Sequence, residues 1–159
     1  MYLSGVEFLR QRPHLFTRLY DLVSSPAGEV RKHVLGIMIG LCKCMRGAFH
    51  CVNKAAINTA RRANQSPYAS LLNCLSAQDV DLRINALTLI NWLVFKCPSE
   101  RKAAKFLARL ENLGVFDDLR QLAREKHPEV VQQLKNFQKN AKIVLPSMQY
   151  QLEIYQNRN

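Results

Sequence analysis

The stretch Glu29-Val30-Arg31-Lys32-His33-Val34-Leu35-Gly36-Ile37-Met38 returns as Asp81-Leu82-Arg83-Ile84-Asn85-Ala86-Leu87-Thr88-Leu89-Ile90, a constant offset of 52 residues. Each copy opens with an acid, an aliphatic residue and an arginine, and the aliphatic positions that follow match at helical spacing. A weaker third copy begins at Glu129-Val130. A Leu-x-x-Leu pair precedes each copy: Leu19 and Leu22, Leu72 and Leu75, Leu119 and Leu122. Self-similarity at this period, with helical units and no strand pattern, marks a stack in which each unit buries its apolar face against the next.

The expected fold class is therefore all-α, a right-handed helical-repeat solenoid of the armadillo or HEAT kind with about three repeats. A single domain spans 1–159, with repeats over approximately 13–65, 67–113 and 114–145. Helices are predicted over 6–11, 14–23, 28–45, 48–63, 68–75, 79–95, 100–113, 115–125 and 128–140, punctuated by Pro13, Pro26, Gly47, Pro67, Pro98, Gly114 and Pro128. Ser66 is placed as an N-cap with Pro67 at the first helical position, Ser99 caps the helix that Glu100 opens, and Gly114 is a stop. Residues 146–159 read as a capping helix and tail, with Met148, Leu152 and Tyr155 on one face; the alternative for this helix is a dimer contact. Only one short helix precedes the first Leu-x-x-Leu pair, so the first repeat reads as incomplete, as in a piece of a longer solenoid.

Composition narrows the function. No stretch approaches the roughly 18 to 20 apolar residues of a membrane span, and the N-terminus lacks a basic region followed by an apolar one, so a cytoplasmic protein is expected. Five cysteines, Cys42, Cys44, Cys51, Cys74 and Cys97, are an odd number within helical segments and suit reduced thiols. Cys42-x-Cys44 with His50 and Cys51 is poorly spaced for a metal, because residues i and i+2 of a helix point to different sides. The sequence carries no nucleophile elbow, phosphate-cradling glycine loop or His-Glu-x-x-His motif. Neither catalysis nor a cofactor nor a metal is expected.

Charge is large and uneven. The formal net charge is +11, and no acid occurs from Val30 to Gln78. Arg31, Lys32, Arg46, Lys54, Arg61 and Arg62 form a candidate basic patch, whose field would attract acidic proteins, nucleic acid or anionic lipid.

A binding face follows from the repeat. Within 81–95 the buried stripe is assigned to Leu82, Ala86, Leu87, Leu89, Ile90, Leu93 and Val94, which leaves Asn85, Thr88, Trp92 and Phe95 on another face. The 52-residue offset puts His33, Gly36, Gly40 and Lys43 at the same positions of the preceding copy, and a 48-residue offset puts Gln133, Asn136 and Asn140 in the following one. The last helix of each triplet lines the concave surface of a right-handed stack, so these residues are expected to form one groove. Trp92 and Phe95 would be its anchors and Gly36 and Gly40 its lowered floor. Each such glycine costs roughly 1 kcal/mol relative to alanine, which suggests close approach by a ligand or a neighbouring helix.

The run Asn85 to Val94, followed by Leu107 to Gly114 and Val115 to Leu122, resembles the end of the formin homology 3 region of diaphanous-type formins. Leu71 to Ser76, with Ile90-Asn91 and Lys96 to Arg101, is similar to the armadillo-like segment of the engulfment and motility (ELMO) scaffolds. These resemblances imply a regulatory module of actin remodelling. In formins such a region binds an amphipathic autoinhibitory helix and cooperates with a segment for Rho-type GTPases; in ELMO scaffolds it helps activate Rac. The sequence departs from a formin in having a basic groove region, where the groove would receive a basic-flanked helix. The expected function is a non-enzymatic protein–protein interaction module that docks a helical peptide or Rho-family GTPase on its concave face. An acidic-flanked amphipathic helix fits best, its leucines against Trp92 and Phe95 and its acids against Lys43, Arg31 and Lys32. The alternative is a basic helical-repeat protein that binds nucleic acid through Arg31 to Arg62.

Overall fold

A computed structural model describes residues 2–144. Among the described residues the regular elements are helices: α1 (Tyr2–Arg10), α2 (Pro13–Asp21) with a 3-10 turn at Leu22–Ser24, α3 (Gly28–Cys44), α4 (Ala48–Ala63), α5 (Ala69–Leu75), α6 (Val80–Lys96), α7 (Glu100–Asn112), α8 (Val115–Ala123) and α9 (Pro128–Val144). The expected helical stack is what the chain forms. The stretch 13–65 holds α2 to α4, 67–113 holds α5 to α7, and 114–144 holds α8 and α9. The expected helix after Pro146 lies outside the described residues.

Three helices of 17 residues, α3, α6 and α9, carry the three sequence copies and pack side by side, α3 on α6 and α6 on α9. The middle one is enclosed on most of its circumference. Every residue of the expected stripe from Leu82 to Val94 is buried, and Ile84 and Asn91 join them. The shorter helices back this layer: α2 packs on α4, α5 on α6, and α7 and α8 on α9. Edge-to-face rings knit them together, with Tyr68 4.9 Å from Phe106, Phe49 5.8 Å from Phe106 and Tyr20 6.4 Å from Tyr68 between centroids.

Caps follow the sequence except at one place. Ser99 Oγ accepts from the Lys102 amide, Asp79 Oδ1 accepts from the Asp81 amide, and Gly114 takes the left-handed conformation at φ +86°. The expected Ser66 cap is not formed. The chain instead turns through Tyr68, which precedes α5 at φ +72°, a region uncommon for any residue with a side chain. Burial of the ring against Phe106 and Tyr20, and donation by its hydroxyl to Asn53 Oδ1 at 2.6 Å, hold the tyrosine there.

The charged residues that open each copy staple neighbouring units. Lys32 Nζ pairs with Asp79 at 2.7 Å and with Glu29 at 3.0 Å, joining the first turn of α3 to the cap of α6. Arg83 reaches Glu125 at 2.6 Å, joining α6 to the turn before α9. The Lys32 ammonium holds the Asp79 carboxyl below its usual range. A carboxyl depressed in the folded protein stabilises it above the unfolded-state value, and that contribution is lost as pH falls through the folded one. Asp79→Asn keeps a capping oxygen and loses the charge. Urea midpoints of the two proteins should differ at neutral pH and converge on acidification below the usual carboxylate range. In the core, Leu87→Ala should lower the unfolding free energy by roughly 2–5 kcal/mol. Phe95→Ala, at a side chain 68% exposed, should stay within about 0.5 kcal/mol of wild type by the same measurement.

Candidate functional site

Thr88, Asn91, Trp92 and Phe95 recur at i, i+3, i+4 and i+7 along α6, and Glu129, Gln133, Asn136 and Asn140 at i, i+4, i+7 and i+11 along α9. These two stripes face each other across a cleft of about 610 Å³, with Lys43 of α3 and Lys139 of α9 completing its lining. Trp92 is half-buried, resting one side on the core, while Phe95 stands out into solvent. Their rings meet edge to face at 5.7 Å, and the Lys43 ammonium lies 5.8 Å from the indole centroid, within reach of its negative face.

Asn91 closes the floor. Its Nδ2 donates to both the backbone carbonyl and the Oε1 of Gln133, each at 2.9 Å, which ties α6 to α9. Its Oδ1 is buried with no hydrogen-bond partner. A buried acceptor left unsatisfied costs on the order of 1–3 kcal/mol, which the two bonds to Gln133 help to offset.

Of the residues expected in a groove, Lys43, Thr88, Trp92, Phe95, Gln133, Asn136 and Asn140 line this cleft, and His33, Gly36, Gly40 and Asn85 do not. Asn85 directs its amide to the Lys32 carbonyl at 3.4 Å, a packing contact between α3 and α6. His33 Nδ1 sits 2.6 Å from the carbonyl of Glu29, one turn back on its own helix. A Cβ at Gly36 or Gly40 would meet nothing within 4 Å, so no neighbouring helix requires either glycine. Asn91, Glu129 and Lys139 belong to the cleft and were not foreseen. Glu129 continues the Gln133 stripe one turn back, a signal periodicity carries. Asn91 falls inside the apolar stripe and reads as core until α9 is in place.

The candidate basic patch is not one surface. Lys32 is engaged by two acids, and a single nitrogen of Arg62, Nη2, donates to both carboxylate oxygens of Asp21 at 2.7 Å. Arg31 is half-buried against Cys74, whose thiol its charge pulls down while burial pushes it up further. Lys54 and Arg61 remain exposed on α4 and Arg46 in the turn before it. Cys42 is buried, its thiol pushed up to about 11 by burial, while Cys44 is exposed, so the two face different sides of α3. Among the described residues no group of three metal-ligating side chains converges, and no helix is long and apolar enough to cross a membrane.

Residues 1–117, from α1 into α8, match the family model of the FHOD1/3 FH3 domain. The chain belongs to the formin homology 3 family. It is 31% identical to Formin-G of Dictyostelium discoideum over 158 residues, and 32% identical to Formin-C of the same organism over 140 residues. These alignments take in 99% and 88% of the chain but only 15% and 12% of the two relatives. The likeness to formins seen between Asn85 and Leu122 thus extends over nearly the whole sequence, and the matching subtype is the FHOD kind where the resemblance implies a diaphanous kind.

The open glycines of α3 give a direct test of how the concave layer is built. Gly36→Ala and Gly40→Ala should each raise the unfolding free energy, by up to about 1 kcal/mol, because alanine fits a helix interior better and meets no obstacle here. Thermal melts of the two variants check this.

Proposed function

We propose that this formin homology 3 chain is a non-catalytic docking module of actin-cytoskeleton regulation, and that the cleft between α6 and α9 is where it receives a helical segment of a protein partner. The observation that carries this reading is the Trp92–Phe95 pair, two large rings at the mouth of a polar-rimmed cleft, Trp92 with one side on the core and Phe95 in solvent. Tryptophan is enriched among the few residues that dominate interface energetics. The stripe from Glu129 to Asn140 runs about 16 Å along α9, enough for three turns of a partner helix.

The rim selects the partner's chemistry. Lys43 and Lys139 offer two cations against the single acid Glu129. An amphipathic helix would lay its leucines on Trp92 and Phe95 and set acids beside the two lysines. Arg31 and Lys32, engaged in packing and ion pairs, take no part. A Rho-family GTPase that presents such a helix would be read in the same way, and occupancy of the cleft is the mechanism: the bound segment is withheld from, or delivered to, the rest of the formin.

The only tryptophan reports on the site. Titration with an acidic-flanked amphipathic helix should shift Trp92 fluorescence saturably and survive moderate salt. Phe95→Ala should weaken that binding about 30-fold, the equivalent of a 2 kcal/mol anchor, in a protein whose circular dichroism is unchanged. An unchanged affinity in the folded variant would refute the reading.

A further inference from the structure

We propose that the face built around α4 is a docking surface for an anionic lipid bilayer, separate from the α6–α9 cleft and independent of its role. Three grooves flank this helix. The one toward α2 has a volume of about 560 Å³ and is lined by His14, Arg18, Asn58, Arg61 and Arg62. The one toward α7, of about 180 Å³, is lined by His50, Asn53, Lys102, Lys105 and Arg109. A third, of about 170 Å³, brings Arg10 and Lys54 together with His50. None of these residues lines the α6–α9 cleft.

The charge is one-sided because of the sequence. The acid-free run from Val30 to Gln78 contains all of α4, so no carboxylate of its own opposes Lys54 or Arg61. The acids that reach the face from packed elements are already paired, Asp21 with Arg62 at 2.7 Å and Glu7 with Arg10 at 3.3 Å. The grooves combine guanidinium and ammonium groups with amide and imidazole nitrogens, a donor set suited to phosphate oxygens.

Two absences among the described residues set the lipid surface above a protein partner and a single-stranded nucleic acid. The exposed large hydrophobic residues are Phe8, Leu22, Val30, Ile37, Phe95 and Val131, none of them on α4 or α7. A protein interface is built around large apolar anchors, and neither α4 nor α7 presents one. Single-stranded nucleic acid needs rings on which bases stack, and here Phe16, Phe49 and Phe106 are buried, while exposed Phe8 lies on α1 with the Arg12 guanidinium 3.8 Å over its ring. What is left is a broad field of long cationic side chains around one helix, which suits a flat array of anionic headgroups.

The test is co-sedimentation of the full chain with vesicles of phosphatidylcholine alone and of phosphatidylcholine mixed with phosphatidylserine. The protein should pellet with the mixed vesicles only, and less as salt is raised. A triple charge reversal, Lys54→Glu, Arg61→Glu and Lys105→Glu, changes exposed side chains and should lower vesicle affinity on the order of a hundredfold. A control of equal charge change around α8 and α9, Arg124→Glu, Lys126→Glu and Lys135→Glu, should retain most of it. Circular dichroism establishes that each variant is folded. Equal losses in both variants would show that net charge and not this face is responsible and would overturn the proposal. So would failure to pellet with anionic vesicles, or retention of a short single-stranded RNA by a protein that ignores them.

Discussion

Everything in this molecule hangs on the enclosure of α6 between α3 and α9. A helix buried on most of its circumference cannot be stable alone, because its apolar surface exceeds what a single neighbour covers. Its partners are the equivalent helices of the units before and after, so the stack is cooperative through the middle. The short helices α5 and α8 back the long helices that follow them, and the 3-10 turn after α2 packs on α3. Polar contacts across the same seams, Asn85 to the Lys32 carbonyl and Asn91 to Gln133, fix the register in which the long helices lie.

That seam also explains why a cleft exists where it does. α6 presents Trp92 and Phe95 just past the point where its contact with α9 is locked by Asn91, and the residues of α9 opposite are polar, so the two helices diverge in surface chemistry while staying close neighbours. Large rings at that place cannot be buried by a polar helix face. They remain available, and Lys43 of the adjoining helix sits over the indole. The same repeat that builds the core therefore leaves these two rings uncovered on the layer of long helices.

Charge is divided by the fold into two populations. Lys32, Arg62 and Arg83 hold units or helices together through specific carboxylates, and Arg31 lies against a buried thiol. Lys54, Arg61, Lys102 and Lys105 face solvent on and around α4, a helix that carries no acid of its own. A net charge of +11 is thus neither a uniform halo nor a single patch. The two Dictyostelium formins that the chain matches are several times its length.

The sequence by itself determined the helical stack, the three equivalent long helices and the buried stripe of α6, because periodicity and repeat offset act through local geometry that each residue carries with it. It also determined the caps at Ser99 and Gly114. Position 68 was decided by tertiary structure alone: only the ring cluster of Tyr20, Phe106 and Tyr68 makes a left-handed tyrosine tolerable, and so displaces the expected cap at Ser66. The same holds for the site. An offset between copies could say that His33, Asn85, Trp92 and Gln133 lie on equivalent faces, but not which of them a neighbouring helix would cover. Asn85 was drawn into the α3–α6 seam, Asn91 came to floor the α6–α9 cleft, and the cations near Arg31 were split between ion pairs and solvent, since partners distant in sequence meet only when the helices pack.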